Sequence, residues 1–289
     1  MKYFDLHADT PHRLRHGGAS LHIPPEEVEG FTEYRQIFAC VADEALSDDE
    51  AFHDILQMHT RFRGERVYRP HTAAYAVEDL RILGGRLSRI PILLRRGFRV
   101  FTPLWGGTTC IGGAWDTDSS LTPFGQAAVR SLAASGALLD ISHASDAAAY
   151  EIARVCSGYA LPILATHSAA RAVHPHRRNL SDELARLVIR SGGLVGLPLV
   201  SYFLSDSPAV YPTALLAHIS HFLSLGARDA LCLGCDLDGT TSLPIGINSI
   251  KDIYSLADII SAHFSPELAA AVCYQNAQRF FARYTRLTR

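Results

Sequence analysis

Where short apolar runs of this chain stop, a set of histidines and acids stands: His7 and Asp9, Glu78, His143, His167, and Asp236 with Asp238. Imidazole nitrogens and carboxylate oxygens are the usual ligands of a hydrolytic zinc ion when no thiolate is placed for it. Two such ions about 3.5–4 Å apart need a carboxylate between them, and Glu78 is the natural candidate. A water between the ions loses a proton near neutral pH and becomes the nucleophile, while one ion polarises the carbonyl under attack. A further carboxylate can carry the proton to the leaving amine, and Asp236 in Gly-Cys-Asp-Leu-Asp-Gly is placed for that. Asp238 points the other way under strand-like alternation and reads as a loop or supporting residue.

Each of these residues also has a plainer reading. His-x-Asp arises by chance in a chain with 14 histidines, although here it follows an apolar run at the start of the sequence. Asp140–His143 reads equally as a helix entry capped by Ser142 or Ser145, and Glu78 in Ala-Val-Glu-Asp-Leu could itself cap a helix. Thr166-His167-Ser168 repeats the pattern of an apolar run followed by His. Arg177 and Arg178 could form an ordinary solvated pair, or a guanidinium could grip a substrate carboxylate bidentately beside a metal.

The elements that would gather these residues are legible as alternation. Runs at 3–6, 35–41, 73–77, 99–102, 137–141, 163–165, 194–199 and 230–233 are continuously apolar, as parallel strands covered on both faces should be. Between them lie amphipathic stretches at 48–63, 85–96, 122–135, 145–156, 181–191, 213–225 and 249–264. Thr122, Ser145 and Ser181 are N-cap candidates, and Gly84, Gly97, Gly136 and Gly226 stand where helices should stop. Eight strands with crossovers predict an α/β fold of the (β/α)8 TIM barrel type, a single domain over 1–289 with a C-terminal helix. Active sites of such barrels lie at the C-terminal ends of the strands, where the residues above fall. The Gly/Thr/Asp-rich segment 106–120 reads as a functional loop above the fourth strand.

Composition narrows the partners. With 289 residues and 48% hydrophobic content, one large core is affordable, and such a barrel commonly takes roughly 250 residues. A formal charge of −2 gives no electrostatic case for nucleic acid or an anionic membrane. No apolar run approaches the roughly 20 residues of a membrane span, and no signal-peptide h-region precedes the first strand. The six cysteines are scattered. Cys232 and Cys235 sit in an apolar strand that points them to opposite faces, so they read as reduced core thiols and the expected compartment is the cytoplasm.

Asp-Leu-His-Ala-Asp-Thr, Asp-Ile-Ser-His-Ala-Ser, Thr-His-Ser…Arg-Arg-Asn and Gly-Cys-Asp-Leu-Asp-Gly resemble, in this order, the signature segments of the membrane (renal) dipeptidase family of metallopeptidases. Ser120–Gly125 is similar to that family's loop before the fifth strand. The resemblance implies a binuclear zinc barrel that hydrolyses dipeptides. It implies that His7 and Asp9 bind one zinc, His143 and His167 the other, and that Glu78 bridges them. Asp236 would be the acid/base, and Arg178 would hold the C-terminal carboxylate of a small peptide or amide substrate. Manganese, iron or cobalt would fit the same donors.

Three segments depart from the family pattern. Glu78-Asp79-Leu80 replaces Glu-Gly-Gly, Thr102-Pro103-Leu104-Trp105 lacks a substrate-contacting His, and Pro198-Leu199-Val200 stands where Asn-Phe-Tyr is common. The metal centre is retained and the pocket altered, which opens a second reading: a metal-dependent amidohydrolase for N-acyl amino acids, cyclic amides or modified dipeptides. A carboxylated lysine would favour that reading, but Lys2 and Lys251 are the only lysines and neither lies at a strand end that could supply it. A third reading, a non-catalytic metal-binding barrel, would be signalled by loss of Asp236 or Arg178, and both are present. The sequence leaves open whether the chain forms a homodimer.

Overall fold

A computed structural model describes residues 1–17, 22–65 and 73–283; the rest of the expected 1–289 span lies outside the described residues. Eight parallel strands form one sheet: β1 (Lys2–Ala8), β2 (Glu33–Val41), β3 (Ala73–Glu78), β4 (Phe98–Thr102), β5 (Leu138–Asp140), β6 (Ile163–Leu164), β7 (Val195–Leu197) and β8 (Leu231–Leu233). Their order is β6-β5-β4-β3-β2-β1-β8-β7. The two ends of that order meet: Ala165 bridges Val195 in parallel, its N–H donating to Leu194 O at 2.9 Å while Gly196 N–H donates to Ala165 O at 2.8 Å. The sheet is thus a (β/α)8 barrel, and every strand expected from the apolar runs is present.

Alternation divides the strand side chains into two cores. Tyr3, Phe38, Val77, Phe101 and Leu139 pack outward with helix residues such as Ile55, Met58 and Leu93. Leu6, Ile37, Ala39, Ala76, Val100 and Leu164 cluster with no other helix than the last ones of the chain, so they fill the barrel. Tyr274, Phe280 and Phe281 close its N-terminal end, Phe281 stacking on Phe4 with centroids 5.2 Å apart. Cys232 joins the inner cluster and Cys235 the outer; both are buried free thiols on opposite faces. No helix among the described residues is long and apolar enough to cross a membrane.

The helices begin where the sequence places caps. Thr122 Oγ1 accepts from Gly125 N–H at 2.9 Å, Ser145 Oγ from Ala148 N–H at 3.0 Å, and Ser181 Oγ from Leu184 N–H at 3.3 Å. Gly97, Gly136 and Gly226 follow helices with φ of 99°, 77° and 88°, the left-handed conformation in which glycine carries no Cβ penalty. The stretch expected as one helix at 85–96 is a 3-10 turn, Leu87–Arg89, followed by Ile90–Arg96, and Pro91 at the first turn suits that junction.

The seam between β6, β7 and β8 depends on glycine for a different reason. A Cβ on Gly196 or Gly234 would lie 1.8 or 1.7 Å from the carbonyl oxygen of Thr166, and one on Gly193 would lie 1.8 Å from Ile163 O. Backbone fills the space where side chains would stand. Gly234→Ala is therefore expected to cost more than about 3 kcal/mol of stability in denaturant unfolding, because buried backbone must move. Gly136→Ala meets nothing within 4 Å and should cost only about 1 kcal/mol from its positive φ. Equal losses at the two positions would refute this account of the seam.

Candidate metal centre

The mouth of the barrel gathers every acid and histidine singled out above except Asp238. His7 lies within β1 and Glu78 is the last residue of β3, so both are fixed by strand backbone and do not follow the strands as expected. His143, His167 and Asp236 each stand three residues past the end of β5, β6 and β8. The capping role that could have explained Glu78 falls to Asp79, whose carboxylate accepts from Arg81 N–H at 2.5 Å. Burial pushes the Asp79 pKa up to about 7.

Glu78 faces both ways. Its Oε2 is 3.2 Å from His7 Nε2, which is also 3.2 Å from Asp9 Oδ1. Its Oε1 is 3.1 Å from His143 Nε2 and 3.7 Å from His167 Nε2. Two triads result, His7/Asp9/Glu78 and His143/His167/Glu78, each with its ligand atoms within 4.8 Å of one another. Asp236 stands at the edge of the first, its Oδ1 4.0 Å from His7 Nε2.

The donor set fits cations. His143 Nδ1 lies 2.9 Å from the Trp105 carbonyl, which can only accept, so Nδ1 carries the ring proton and Nε2 presents a lone pair. His167 Nδ1 lies 2.9 Å from Thr166 Oγ1, which directs its own proton to Asp140. The two Nε2 atoms then face each other at 2.9 Å with Glu78 Oε1 beside them and no proton among the three. His7 Nε2, Asp9 Oδ1 and Glu78 Oε1 are buried without a hydrogen-bond partner. Lone pairs converging without protons are repulsive unless a cation sits among them.

Electrostatics register how many acids crowd around His7. Burial disfavours a charged His7, but the Glu78 and Asp9 carboxylates outweigh it and hold its pKa well above the ordinary value. Burial also works against ionised Glu78, yet His7 and His143 together hold it well below the usual carboxylate range. Burial, with Asp9 beside it, raises Asp236 well above that range. Burial, His7 and Arg178 push His167 well below its ordinary value, keeping it neutral.

Local backbone explains how the loops aim these groups. His143, Asp236 and Asp238 have φ of 66°, 60° and 66°, three of the four positive-φ non-glycine residues among the described residues. Each is held against a cost of order 1 kcal/mol by its surroundings. Asp238 supports the site from behind: its oxygens accept from Thr10 Oγ1 at 2.8 Å and His22 N–H at 3.1 Å. Gly239 lets the acids approach, since a Cβ there would lie 2.3 Å from Asp236 Oδ1 and 2.4 Å from Asp9 Oδ2. The 106–120 loop is tied to the site through Trp115 N–H, which donates to His143 O at 2.8 Å.

Arg178 is buried, 4% exposed, and only Nη1 is engaged, donating to Ser168 Oγ at 3.2 Å. Nε and Nη2 have no hydrogen-bond partner. Burial lowers its pKa, opposed by Glu78, Asp140 and Asp236 nearby, so the guanidinium lies within electrostatic reach of the whole cluster. Arg177 is the solvated member of the pair, bonded to Asp118 at 2.5 Å. Sequence reasoning missed Tyr202 and Phe203. They follow Pro198-Leu199-Val200 in the short helix Ser201–Leu204; Phe203 lies under the Arg178 guanidinium at 5.4 Å, and the Tyr202 phenol feels Asp236 and Arg178. Two aromatics spaced a few residues later than the family pattern were the available signal. Trp105, where a His is absent, is 36% exposed and stacks on His143 with centroids 5.9 Å apart.

The chain is similar to several known proteins. Residues 55–288 match the membrane dipeptidase family, peptidase family M19. A Klebsiella pneumoniae protein described as an uncharacterized protein in the pqqA 5' region is 30% identical over 181 residues, 57% of this chain, and the match spans 64% of that relative's length. A dipeptidase structure of family M19 superposes with a TM-score of 0.87 at 23% identity, covering 100% of this chain and 98% of its own. A Rhodobacter sphaeroides metallopeptidase liganded with a phosphinate mimic of the dipeptide L-Ala-D-Ala gives 0.87 at 22% identity, covering 100% and 99%. The probable dipeptidase PvdM of Pseudomonas aeruginosa gives 0.86 at 16% identity, covering 100% and 96%.

Glu78→Gln keeps the shape of the shared carboxylate and removes its charge. It is expected to lower the metal content of the purified protein several-fold, as read by elemental analysis. Unchanged metal content would remove Glu78 from the ligand set.

Proposed function

The chain belongs to the membrane dipeptidase family, and from that membership we propose that it is a metallo-dipeptidase holding two zinc ions, with a short peptide bearing a free C-terminal carboxylate as substrate. His7 and Asp9 would hold one ion, His143 and His167 the other, and Glu78 both. The observation that carries the reading is Glu78, whose two oxygens divide between two sets of ligands, beside a buried guanidinium with two unengaged nitrogens. A pair of divalent cations, once bound, supplies an acidified water and polarises a carbonyl.

The chain's own residues supply the rest. Arg178 offers Nε and Nη2 on one edge, the fork that matches a carboxylate, and Phe203 beneath it restricts its rotation. A substrate gripped there would lay its peptide bond over the histidines. Asp236 does not touch His7 as closely as Asp9 or Glu78 does, which leaves its carboxylate free to take a proton and deliver it to the leaving amine. Its raised pKa suits a group that must be protonated for part of the cycle. Trp105 and Tyr202, both substantially exposed at the mouth, would face the substrate's side chains and give the pocket an aromatic wall.

A panel of dipeptides set against N-acyl amino acids, run on protein of measured zinc content, separates dipeptide hydrolysis from the amidohydrolase alternative. Turnover of N-acyl amino acids alone would overturn the dipeptidase reading, and turnover of neither class would point to the non-catalytic barrel. Asp236→Asn should retain metal and lose at least about 100-fold in kcat, the usual scale for removing a general acid–base. Retained kcat would reassign the proton transfer. Arg178→Lys should raise KM about 10-fold or more with a smaller effect on kcat, because an ammonium cannot reproduce a two-pronged contact. No change in KM for a free-carboxylate substrate would place Arg178 outside the pocket.

A further inference from the structure

Behind the candidate ligands lies a buried hydrogen-bond hub that none of the roles above uses. Asp140, fully buried at the end of β5, is saturated: Oδ1 accepts from Ser142 N–H at 3.0 Å and Thr166 N–H at 2.9 Å. Its Oδ2 accepts from Thr102 Oγ1 at 2.9 Å and Thr166 Oγ1 at 2.5 Å. Four donors on one carboxylate leave it no capacity to ligate, although it lies within ligand range of His7 and His167. Thr166 Oγ1 has spent its only proton on Asp140 and can only accept from elsewhere. What faces it is His167 Nδ1 at 2.9 Å and His7 Nδ1 at 3.4 Å. These rings lie with centroids 3.8 Å apart, tilted by 32°, and belong to different triads.

We infer that Asp140 and Thr166 form one relay that fixes the tautomer of a histidine in each metal triad, so that both sites are set for metal by a single hydroxyl. The hydroxyl, held as an acceptor, requires a proton on Nδ1 of both rings, which frees both Nε2 lone pairs toward Glu78. His143 is independent of the relay, since it takes its Nδ1 partner from the Trp105 carbonyl. Thr166 itself cannot drift, because Gly196 and Gly234 pack against its carbonyl oxygen. Asp140 and Thr166 are positioning residues on this account: they reach the cations through the histidines. The inference rests on the metal-pair reading of the site.

The test reads metal affinity and tautomer, apart from turnover. Thr166→Val keeps the branched shape and removes the acceptor; zinc affinity, measured by chelator competition, should fall about 10- to 100-fold at both sites, the usual scale for losing a group that orients a ligand. Thr166→Ser should restore it. Thr102→Val, which takes a donor from the same carboxylate oxygen without touching a histidine, should leave affinity near that of the unaltered protein. Asp140→Asn reverses the relay: its amide donates to Thr166, whose proton turns to the rings and forces the proton onto Nε2. It should bind zinc more weakly than Thr166→Val. Loss confined to one site, equal loss in Thr102→Val, or unchanged affinity in Thr166→Val would each overturn the relay. Should the variants fail to fold, nitrogen-15 spectra of the unaltered metal-free protein decide: His7 and His167 should both carry a proton on Nδ1, and an unprotonated Nδ1 in either overturns it. Failure of the metal-pair reading shows separately, as an unaltered protein that takes up no zinc.

Discussion

A carboxylate buried among imidazoles at the mouth of a barrel is the constraint around which the rest of the site is arranged. Glu78 is 1% exposed, and so are His7 and His167. Water is too far away to solvate Glu78, and an unpaired charge in that position costs several kcal/mol. A protonated His7 can pair with it, but burial holds His143 and His167 below the ordinary histidine pKa, so their Nε2 atoms face it as lone pairs. With Nδ1 bonded at the back, those lone pairs fit His143 and His167 to a cation shared with Glu78. Asp9 and Asp236 add two more acids within reach of His7, so carboxylates crowd that side of the mouth.

Holding that arrangement places demands far from the acids. The strands must end at the right height around the ring, and the seam at β6, β7 and β8 is where room runs out. Gly193, Gly196 and Gly234 give backbone the space that side chains occupy elsewhere, so Thr166 can sit between β7 and β8. Gly239 does the same for Asp9 and Asp236. His143, Asp236 and Asp238 accept left-handed backbone to aim at the centre. Asp5 echoes Asp140 across the barrel, its Oδ1 accepting from His7 N–H at 2.9 Å and Cys235 N–H at 3.0 Å, and so ties β1 to the chain just before Asp236. Two buried aspartates, each joining neighbouring strand ends, fix the position of the candidate metal ligands.

Strand positions and the ligand candidates were legible in the sequence because both follow from local pattern. Continuous apolar runs mark strands buried on both faces, and a His or acid at the end of such a run has few places to go but the mouth. The exact ends were less legible: β1 runs on to Ala8 with a register shift after Asp5, which brings His7 inside the strand. Nothing in the order Asp-Ile-Ser-His reveals that Asp140 serves Thr166, because that contact joins residues 26 apart in a loop-to-strand geometry only closure creates. The roles of Gly196 and Gly234 were hidden for the same reason, since the crowding they relieve is between strands. Tyr202 and Phe203 were missed because a short helix after β7 displaces them from the position where aromatic residues were sought.

The two halves of the mouth are built differently, and that difference bears on specificity. His7 and Glu78 ride on strands, and the other candidate ligands stand within three residues of one, so their geometry is inherited from the barrel. Arg178, Trp105 and Tyr202 ride on the connections, where a change of sequence alters shape without disturbing the sheet. Trp105 shows how the halves are joined. Its carbonyl accepts from His143 Nδ1 and so turns Nε2 toward the mouth as a lone pair, while its indole stacks on that ring and is partly exposed. Backbone does the positioning here, which leaves the side chain free to vary without loss of the ligand. Trp105, 36% exposed, adds an apolar face to the mouth. Substitutions that change the shape of the mouth are thus expected to be tolerated best in the loops after β4, β6 and β7, and least at the strand ends.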